Sequence, residues 1–136
     1  MQVSEVMHKG ISTVQINDSI KKVAALMKRE DIGSVPVFKN ERPVGFVTDR
    51  DIVVSCVAEG HPSDDPVSHA MSREIIFVHE KDDINMASKL MRDNQVSRLM
   101  VVDEGDRPVG MITLHDLSRF KVDDELKATV ITDIKR

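Results

Sequence analysis

The sequence predicts an α+β fold made of two β-α-β-β-α units, and two observations support this prediction. The first is an internal repeat, because most of Arg42–Ile52 returns as Arg107–Leu117. The second is that helically spaced apolar residues and short strand-like apolar runs follow one another in the same order in both halves. Since about 55 residues bury little surface alone, we expect the two units to share a core.

The repeat also predicts how the chain is divided. The copies align at an offset of 64 residues from Met7 and Met71, and at an offset of 65 from Arg42 and Arg107 onward. The extra residue falls in a polar stretch between two predicted strands, where a hairpin loop can absorb an insertion. The predicted organisation is a first repeat over residues 1–60, a linker over 61–65, a second repeat over 66–122 and a C-terminal tail over 123–136. The pattern of apolar residues in the tail is compatible with a helix that docks on the rest of the protein.

The first helix of each unit is predicted from residues spaced three and four apart. These apolar positions are Ile20, Val23, Ala24 and Met27 in the first unit, and Ile84, Ala87 and Met91 in the second. Asp18 or Ser19 can cap the start of the first of these helices, and we expect Gly33 to end it. The methionines Met27, Met86, Met91 and Met100 fall at core positions of the repeat, so they are interpreted as packing residues.

Short apolar runs predict the strands, and a second helix closes each unit. The predicted strands cover residues 11–14, 34–38 and 44–47 in the first unit, and 75–78, 99–102 and 109–112 in the second. The closing helices run from about Asp49 to Glu59, where Gly60 follows, and from about Leu114. Each unit therefore reads β-α-β-β-α.

The composition excludes several classes of protein. The chain has 136 residues and a net charge of −4, without the basic stripe that a nucleic-acid partner requires. No apolar run approaches the roughly 20 residues of a membrane helix, and the N-terminus has no secretory pattern. The single Cys56 excludes an internal disulfide framework and suits a reducing compartment. We expect a cytoplasmic protein with no nucleic-acid or membrane partner.

Each unit closes with Thr-x-x-Asp at the start of its last helix, as Thr48 and Asp51 and again as Thr113 and Asp116. One interpretation is helix capping, since a Thr followed three residues later by an acid nearly forms a capping box. The box prefers Glu or Gln, however, and both copies here use the shorter Asp. Capping alone does not explain why this acid recurs.

The order β-α-β-β-α, with Gly-x-x-Thr-x-x-Asp closing each unit, resembles a tandem pair of cystathionine-β-synthase (CBS) domains, also called a Bateman module. The resemblance covers about residues 1–120 and is closest to the stand-alone bacterial kind, which carries no catalytic domain. It implies that the repeats pack about a pseudo-twofold axis and leave two clefts that bind adenine nucleotides. It also implies that the protein is not an enzyme.

The resemblance implies ligand contacts residue by residue. Thr48 and Asp51 would lie in one cleft and Thr113 and Asp116 in the other, with each Asp on the ribose hydroxyls. A carboxylate suits that role because it can accept hydrogen bonds from both hydroxyls of a cis-diol.

Three basic side chains are candidates for contacting phosphate. Arg50 and His115 stand one position before each motif Asp. Arg98 resembles the basic residue that contacts phosphate in the γ subunit of AMP-activated protein kinase, and its counterpart in the first unit is Ser34. The two clefts are therefore expected to differ in affinity.

The predicted function is a regulatory module that binds AMP, ADP or ATP, with or without Mg²⁺, and signals to a partner protein. The resemblance also implies a homodimer, and Val53, Val54 and Val57 would supply part of its contact face. Three alternatives stay open: a non-binding dimeric scaffold, an S-adenosylmethionine binder, and a zinc-linked stress module.

The sequence gives only weak support for a zinc site or a catalytic site. Cys56, His61 and His69 lie within fourteen residues, but zinc sites usually show tighter paired spacing. Cys56 also shares a helix face with apolar residues, which favours a small buried side chain. Ser55, His61 and Asp64 form no recognisable catalytic triad, so no catalytic residue is predicted.

Overall fold

A computed structural model of the chain describes residues 1–120. The docking helix predicted over residues 123–136 lies outside the described residues. The strands are β1 (His8–Lys9), β2 (Val14–Gln15), β3 (Ser34–Lys39), β4 (Arg42–Thr48), β5 (Phe77–His79), β6 (Arg98–Val102) and β7 (Pro108–Thr113). The helices are α1 (Ile20–Glu30), α2 (Asp49–Ile52), α3 (Ile84–Asn94) and α4 (Leu114–Ser118), and α2 continues as a π-helical segment, Val53–Val57.

The predicted α+β class and the β-α-β-β-α order are confirmed, as β2-α1-β3-β4-α2 and β5-α3-β6-β7-α4. Several element boundaries differ from the prediction by one to three residues. Strand β2 begins at Val14 rather than at residue 11, and α1 ends before Asp31 rather than at Gly33. Asp31 adopts a left-handed φ of 52° and its N–H donates to the carbonyl of Met27, which closes the last helical turn without a glycine. None of the helices within residues 1–120 is long and apolar enough to cross a membrane.

The described chain folds as two compact units, which are divided differently from the sequence repeats. One unit is continuous, Ser12–Ile75, and is called the central unit here; the other joins Met1–Ile11 to residues 76–120 and is called the split unit. The first eleven residues, which sequence analysis assigned to the repeat over residues 1–60, thus pack with the second repeat. The repeat therefore marks a unit of sequence rather than a compact unit of structure.

Each unit contains one sheet. In the central unit the strand order is β2-β3-β4, with β2 parallel to β3 and β4 antiparallel to it. In the split unit the order is β1-β7-β6-β5, with the same parallel and antiparallel pairs and the additional N-terminal strand β1 antiparallel to β7. Strand β1 attaches the N-terminus to the second repeat together with backbone hydrogen bonds such as that from the N–H of Val3 to the carbonyl of Asp82.

The buried apolar residues form two clusters, one in each unit, and each cluster contains residues from both sequence repeats. The central cluster includes Val23 of α1 packed with strand residues such as Val35 and Val47. The split cluster takes in Val3 from the N-terminal segment together with residues such as Met91 of α3. Because Val3 and its neighbours add to the second repeat, that unit builds its own cluster from two separate stretches of chain.

Most of the predicted packing positions are buried, but Ala24 and Met86 are exposed. Met27, Met91 and Met100 are buried as predicted, but the side chain of Met86 is 45% exposed. Helix α3 buries positions such as Ile84 and Ala87. Met86 lies two residues after Ile84, about 200° around the helix, and so faces outward.

In each unit, the glycine three residues before the motif Thr allows another segment of backbone to approach closely. A Cβ at Gly45 would lie 2.2 Å from the carbonyl oxygen of Ser72, and a Cβ at Gly110 would lie 2.3 Å from the carbonyl oxygen of His8. Ser72 bridges Phe46, and His8 pairs with Met111, each one residue after the glycine. Ser72 and His8 therefore occupy equivalent places in the two units.

Candidate functional site

The first candidate site is the turn from β4 into α2, called the Asp51 corner here. Thr48 has extended backbone dihedral angles and ends the strand, and its Oγ1 accepts a hydrogen bond from the N–H of Asp51 (3.0 Å). In return, Oδ2 of Asp51 accepts from the N–H of Thr48 (2.9 Å). The two residues form a complete capping box, so the capping interpretation is confirmed at this corner.

The turn from β7 into α4, called the Asp116 corner, has the same backbone arrangement. Oγ1 of Thr113 accepts from the N–H of Asp116 (3.2 Å), and Oδ2 of Asp116 accepts from the N–H of Thr113 (2.8 Å). Capping occupies only Oδ2 of each aspartate. Since each carboxylate has a second oxygen with its own lone pairs, capping and ligand binding are compatible roles for the same side chain.

The two corners differ at that second oxygen. At the Asp116 corner, Nε2 of His8 lies 2.8 Å from Oδ1 of Asp116, whose side chain is only 3% exposed, whereas the His8 side chain is 65% exposed. At the Asp51 corner, no hydrogen bond or ion pair from a described residue reaches Oδ1 of Asp51, which is half-buried. Oδ1 of the aspartate thus has no hydrogen-bond or ion-pair partner among the described residues at the first corner, and it is paired with His8 at the second.

The strand register places the first residues of β3 and β6 opposite the motif threonines. Arg98 pairs across the sheet with Thr113, and Ser34 pairs with Thr48. Arg98 therefore belongs to the Asp116 corner and Ser34 to the Asp51 corner, in agreement with the correspondence expected from the repeat. Ser34 Oγ is buried and has no hydrogen-bond partner among the described residues.

Arg50 and His115 lie on the outer side of the two corners. Both side chains are exposed, on the first turns of α2 and α4. Nε2 of His115 lies 3.2 Å from Nη2 of Arg119, one helical turn later, so Arg119 adds a positive charge next to His115. The structure thus brings each predicted Thr and Asp together with one neighbouring arginine: Arg50 at the first corner and Arg98 at the second.

His8 and Arg119 were not among the site residues predicted from the sequence. The repeat contained a signal for His8, since the offset of 64 residues that aligns Met7 with Met71 also aligns His8 with Ser72. What the repeat did not reveal is that His8 lies against the aspartate of the second repeat, because strand β1 joins β7 rather than a strand of its own repeat.

The residues considered for zinc are engaged in other contacts. Cys56 is buried, as expected of a small packing residue, and its thiol donates to the carbonyl of His61 (3.7 Å). Nδ1 of His61 and Nδ1 of His69 lie 3.4 Å and 3.5 Å from the same carboxylate oxygen of Asp65. Among residues 1–120, no three His, Cys, Asp or Glu side chains form a group that could hold a metal ion.

Comparison with known proteins identifies relatives of the whole described region. Residues 3–57 and residues 67–123 each match the family model described as CBS domain. The CBS domain-containing protein YhcV of Bacillus subtilis is 33% identical over 132 residues, which is 97% of this chain and 94% of that protein.

Two solved structures are informative about ligands of similar proteins. The CBS domain pair of protein MJ0100, crystallised in complex with 5′-methylthioadenosine and S-adenosyl-L-methionine, is 27% identical with a TM-score of 0.76, covering 88% of this chain and 94% of that one. Hypoxic Response Protein I, crystallised with two coordinated zinc ions, is 27% identical with a TM-score of 0.76, covering 90% of this chain and 100% of that one. Hypoxic response protein 1 of Mycobacterium tuberculosis is 30% identical over 117 residues, or 85% of this chain and 81% of that protein.

Proposed function

The chain belongs to the CBS domain family, of which it carries two copies, and from that premise we propose that it is a regulatory module that binds an adenine nucleotide. The proposed ligand is AMP, ADP or ATP, with or without Mg²⁺, and binding would be signalled to a partner protein. The ligand is bound and released unchanged, so the proposed role is not enzymatic.

The observation that carries the proposal is the carboxylate at the Asp51 corner. Its Oδ2 is held by the N–H of Thr48, which fixes the side-chain orientation, while Oδ1 receives no hydrogen bond or ion pair from a described residue. A preoriented carboxylate oxygen at the start of a helix is suited to accept hydrogen bonds from the ribose hydroxyls of an adenosine ligand.

The charges near the corners favour a phosphate-bearing ligand. The chain has a net charge of −4, so an anionic ligand needs local positive charge. Arg50 and Arg98 supply one such charge near each corner. A guanidinium binds phosphate well because its N–H groups match the geometry of the phosphate oxygens.

S-adenosylmethionine is the second candidate, and the ligands of MJ0100 favour it. It shares the ribose with AMP but carries a sulfonium cation instead of phosphate. The arginines have no evident role toward such a ligand, which is why we place the nucleotides first.

The proposed module is a cytoplasmic homodimer. The side chains of Val53, Val54 and Val57 are 58%, 47% and 66% exposed, and such a group of apolar side chains is typical of a protein contact surface. Cys56, a single buried thiol, suits a reducing compartment. Sedimentation velocity on the full chain tests the dimer, and a monomer at all concentrations would contradict it.

Calorimetric titration of the purified, ligand-free protein with AMP, ATP and S-adenosylmethionine tests the proposed ligand class. The chain contains no Trp or Tyr, so ultraviolet absorbance reveals directly whether any adenine compound has been carried through purification. We expect saturable AMP or ATP binding that weakens about tenfold to a hundredfold in Asp51→Asn, since Asn keeps the shape but loses the charge-assisted contact.

The matched control is Asp93→Asn, which removes one negative charge from an exposed position on α3. Normal AMP and ATP binding by the double variant Asp51→Asn, Asp116→Asn would show that the ribose role is wrong. Tighter binding of S-adenosylmethionine than of both nucleotides would favour the second candidate.

A further inference from the structure

The contact between His8 and Asp116 has no counterpart in the central unit. Oδ2 of Asp116 accepts the N–H of Thr113, and Oδ1 lies 2.8 Å from Nε2 of His8. With its side chain 3% exposed, Asp116 presents almost no carboxylate surface to a ligand. His8 thus occupies the oxygen that a ribose diol would need, whereas Oδ1 of Asp51 has no hydrogen-bond or ion-pair partner among the described residues.

We propose that His8 is a specificity-determining side chain that competes with the ribose for Asp116. The inference rests on the proposed function, and it assigns an order to the two corners. The adenosine ligand binds at Asp51 first, and it binds at Asp116 only after the imidazole of His8 has moved away from Oδ1.

The position of His8 makes this displacement feasible. Its backbone is held by pairing of β1 with β7 and by the close approach to Gly110, so the residue cannot leave the corner as a whole. Its side chain is nevertheless 65% exposed, and rotation would place the ring in water at little cost in buried surface. The ring is therefore held mainly by its contact with Asp116, which is the contact that the ribose would replace.

The central unit contains the natural comparison. Ser72 occupies the place of His8, because it bridges Phe46 as His8 pairs with Met111. The hydroxyl of Ser72 accepts a hydrogen bond from the N–H of Glu74 (3.4 Å) and makes no contact with Asp51 among the described residues. The substitution His8→Ser therefore gives the Asp116 corner the side chain that the other unit already has.

The direction in which removal of His8 changes ligand affinity at Asp116 distinguishes competition by His8 from assistance by His8. If His8 competes with the ribose, removing it strengthens binding at Asp116. If His8 instead orients Asp116 for the ligand, removing it weakens binding there.

The experiment uses AMP as the probe and calorimetry on the full chain, in the Asp51→Asn background so that the Asp116 corner dominates the signal. We expect His8→Ser in that background to strengthen AMP binding about tenfold, the effect of relieving one polar contact of roughly 1.4 kcal/mol. Lys9→Ser is the matched control, since it removes a cationic side chain from the same exposed strand without touching Asp116. It should leave the affinity unchanged.

The outcomes distinguish the inference from the proposed function. Unchanged or weaker AMP binding in His8→Ser, with AMP still bound by the wild type, would overturn the role of His8 and leave the nucleotide proposal standing. No AMP binding by the wild type and the His8→Ser variant would overturn both. AMP binding by the His8→Ser variant but not by the wild type would support the role of His8 and would overturn the proposed binding at Asp51.

Discussion

The Asp51 and Asp116 corners share one backbone design but have different neighbours. Both have a Thr and an Asp that cap each other, and both follow a glycine that admits a neighbouring carbonyl oxygen. The differences lie in the surrounding side chains. Ser72 and Ser34 stand near the first corner, where His8 and Arg98 stand near the second.

This comparison separates what the fold requires from what a ligand would sense. The shared residues satisfy backbone groups that would otherwise lack partners at the start of a helix. They are therefore needed whether or not a ligand binds. The residues that differ between the units do not take part in this shared capping. They can therefore give the two corners different ligand preferences.

The largest expected effect tests whether the close approach is equally necessary in both units. Gly45→Ala and Gly110→Ala each force a Cβ to within 2.2 Å or 2.3 Å of a carbonyl oxygen. We expect each to lower the free energy of unfolding by about 2–4 kcal/mol, because the neighbouring backbone must shift. The free energy of unfolding is measured by urea denaturation monitored by far-ultraviolet circular dichroism.

Gly105→Ala is the control for these variants, since the nearest atoms to its Cβ are at ordinary van der Waals distances of 3.5 Å. It should change the stability little. A loss in Gly105→Ala as large as in the other two would show that the close approach is not the cause.

A smaller effect is expected from the charge that distinguishes the second corner. In the Asp51→Asn, His8→Ser background, where the Asp116 corner dominates binding, Arg98→Ala should weaken AMP binding about tenfold more than adenosine binding, because only AMP carries the phosphate that a guanidinium contacts. The measurement is calorimetric titration with both ligands. The control is Arg92→Ala, which removes an arginine paired with Asp93 on α3. Equal weakening of AMP and adenosine by Arg98→Ala would show that Arg98 does not contact phosphate.

The smallest effect concerns what the corners share. Thr48→Val and Thr113→Val keep the side-chain shape but remove the oxygen that accepts the N–H of the capped residue. Each should lower the free energy of unfolding by about 1 kcal/mol, and by similar amounts in the two units. Denaturation of both variants beside Thr13→Val, an exposed position outside the helices, checks it. A loss confined to one unit would mean that the corners are not equivalent as caps.

Much of the fold was predictable because its signals are local. The spacing of Ile20, Val23 and Met27 determines which face of α1 is buried, and the interaction of Thr48 with Asp51 spans only three residues. The placement of Thr48, Asp51, Thr113 and Asp116 at strand-to-helix turns followed from the same short-range patterns. Their contact with a ligand remains a prediction, as does that of Arg50, His115 and Arg98.

The sequence by itself determined the repeat, the order of its elements and the two capped corners, since periodicity and capping act over a few residues. Only the tertiary structure decided that the first eleven residues join the second repeat, and hence that His8 lies against Asp116. The physical reason is that β1 has only two residues, too few to encode a partner in their own pattern. Its partner is chosen by the long-range fit beside Gly110, where the absence of a side chain leaves room for the carbonyl of His8.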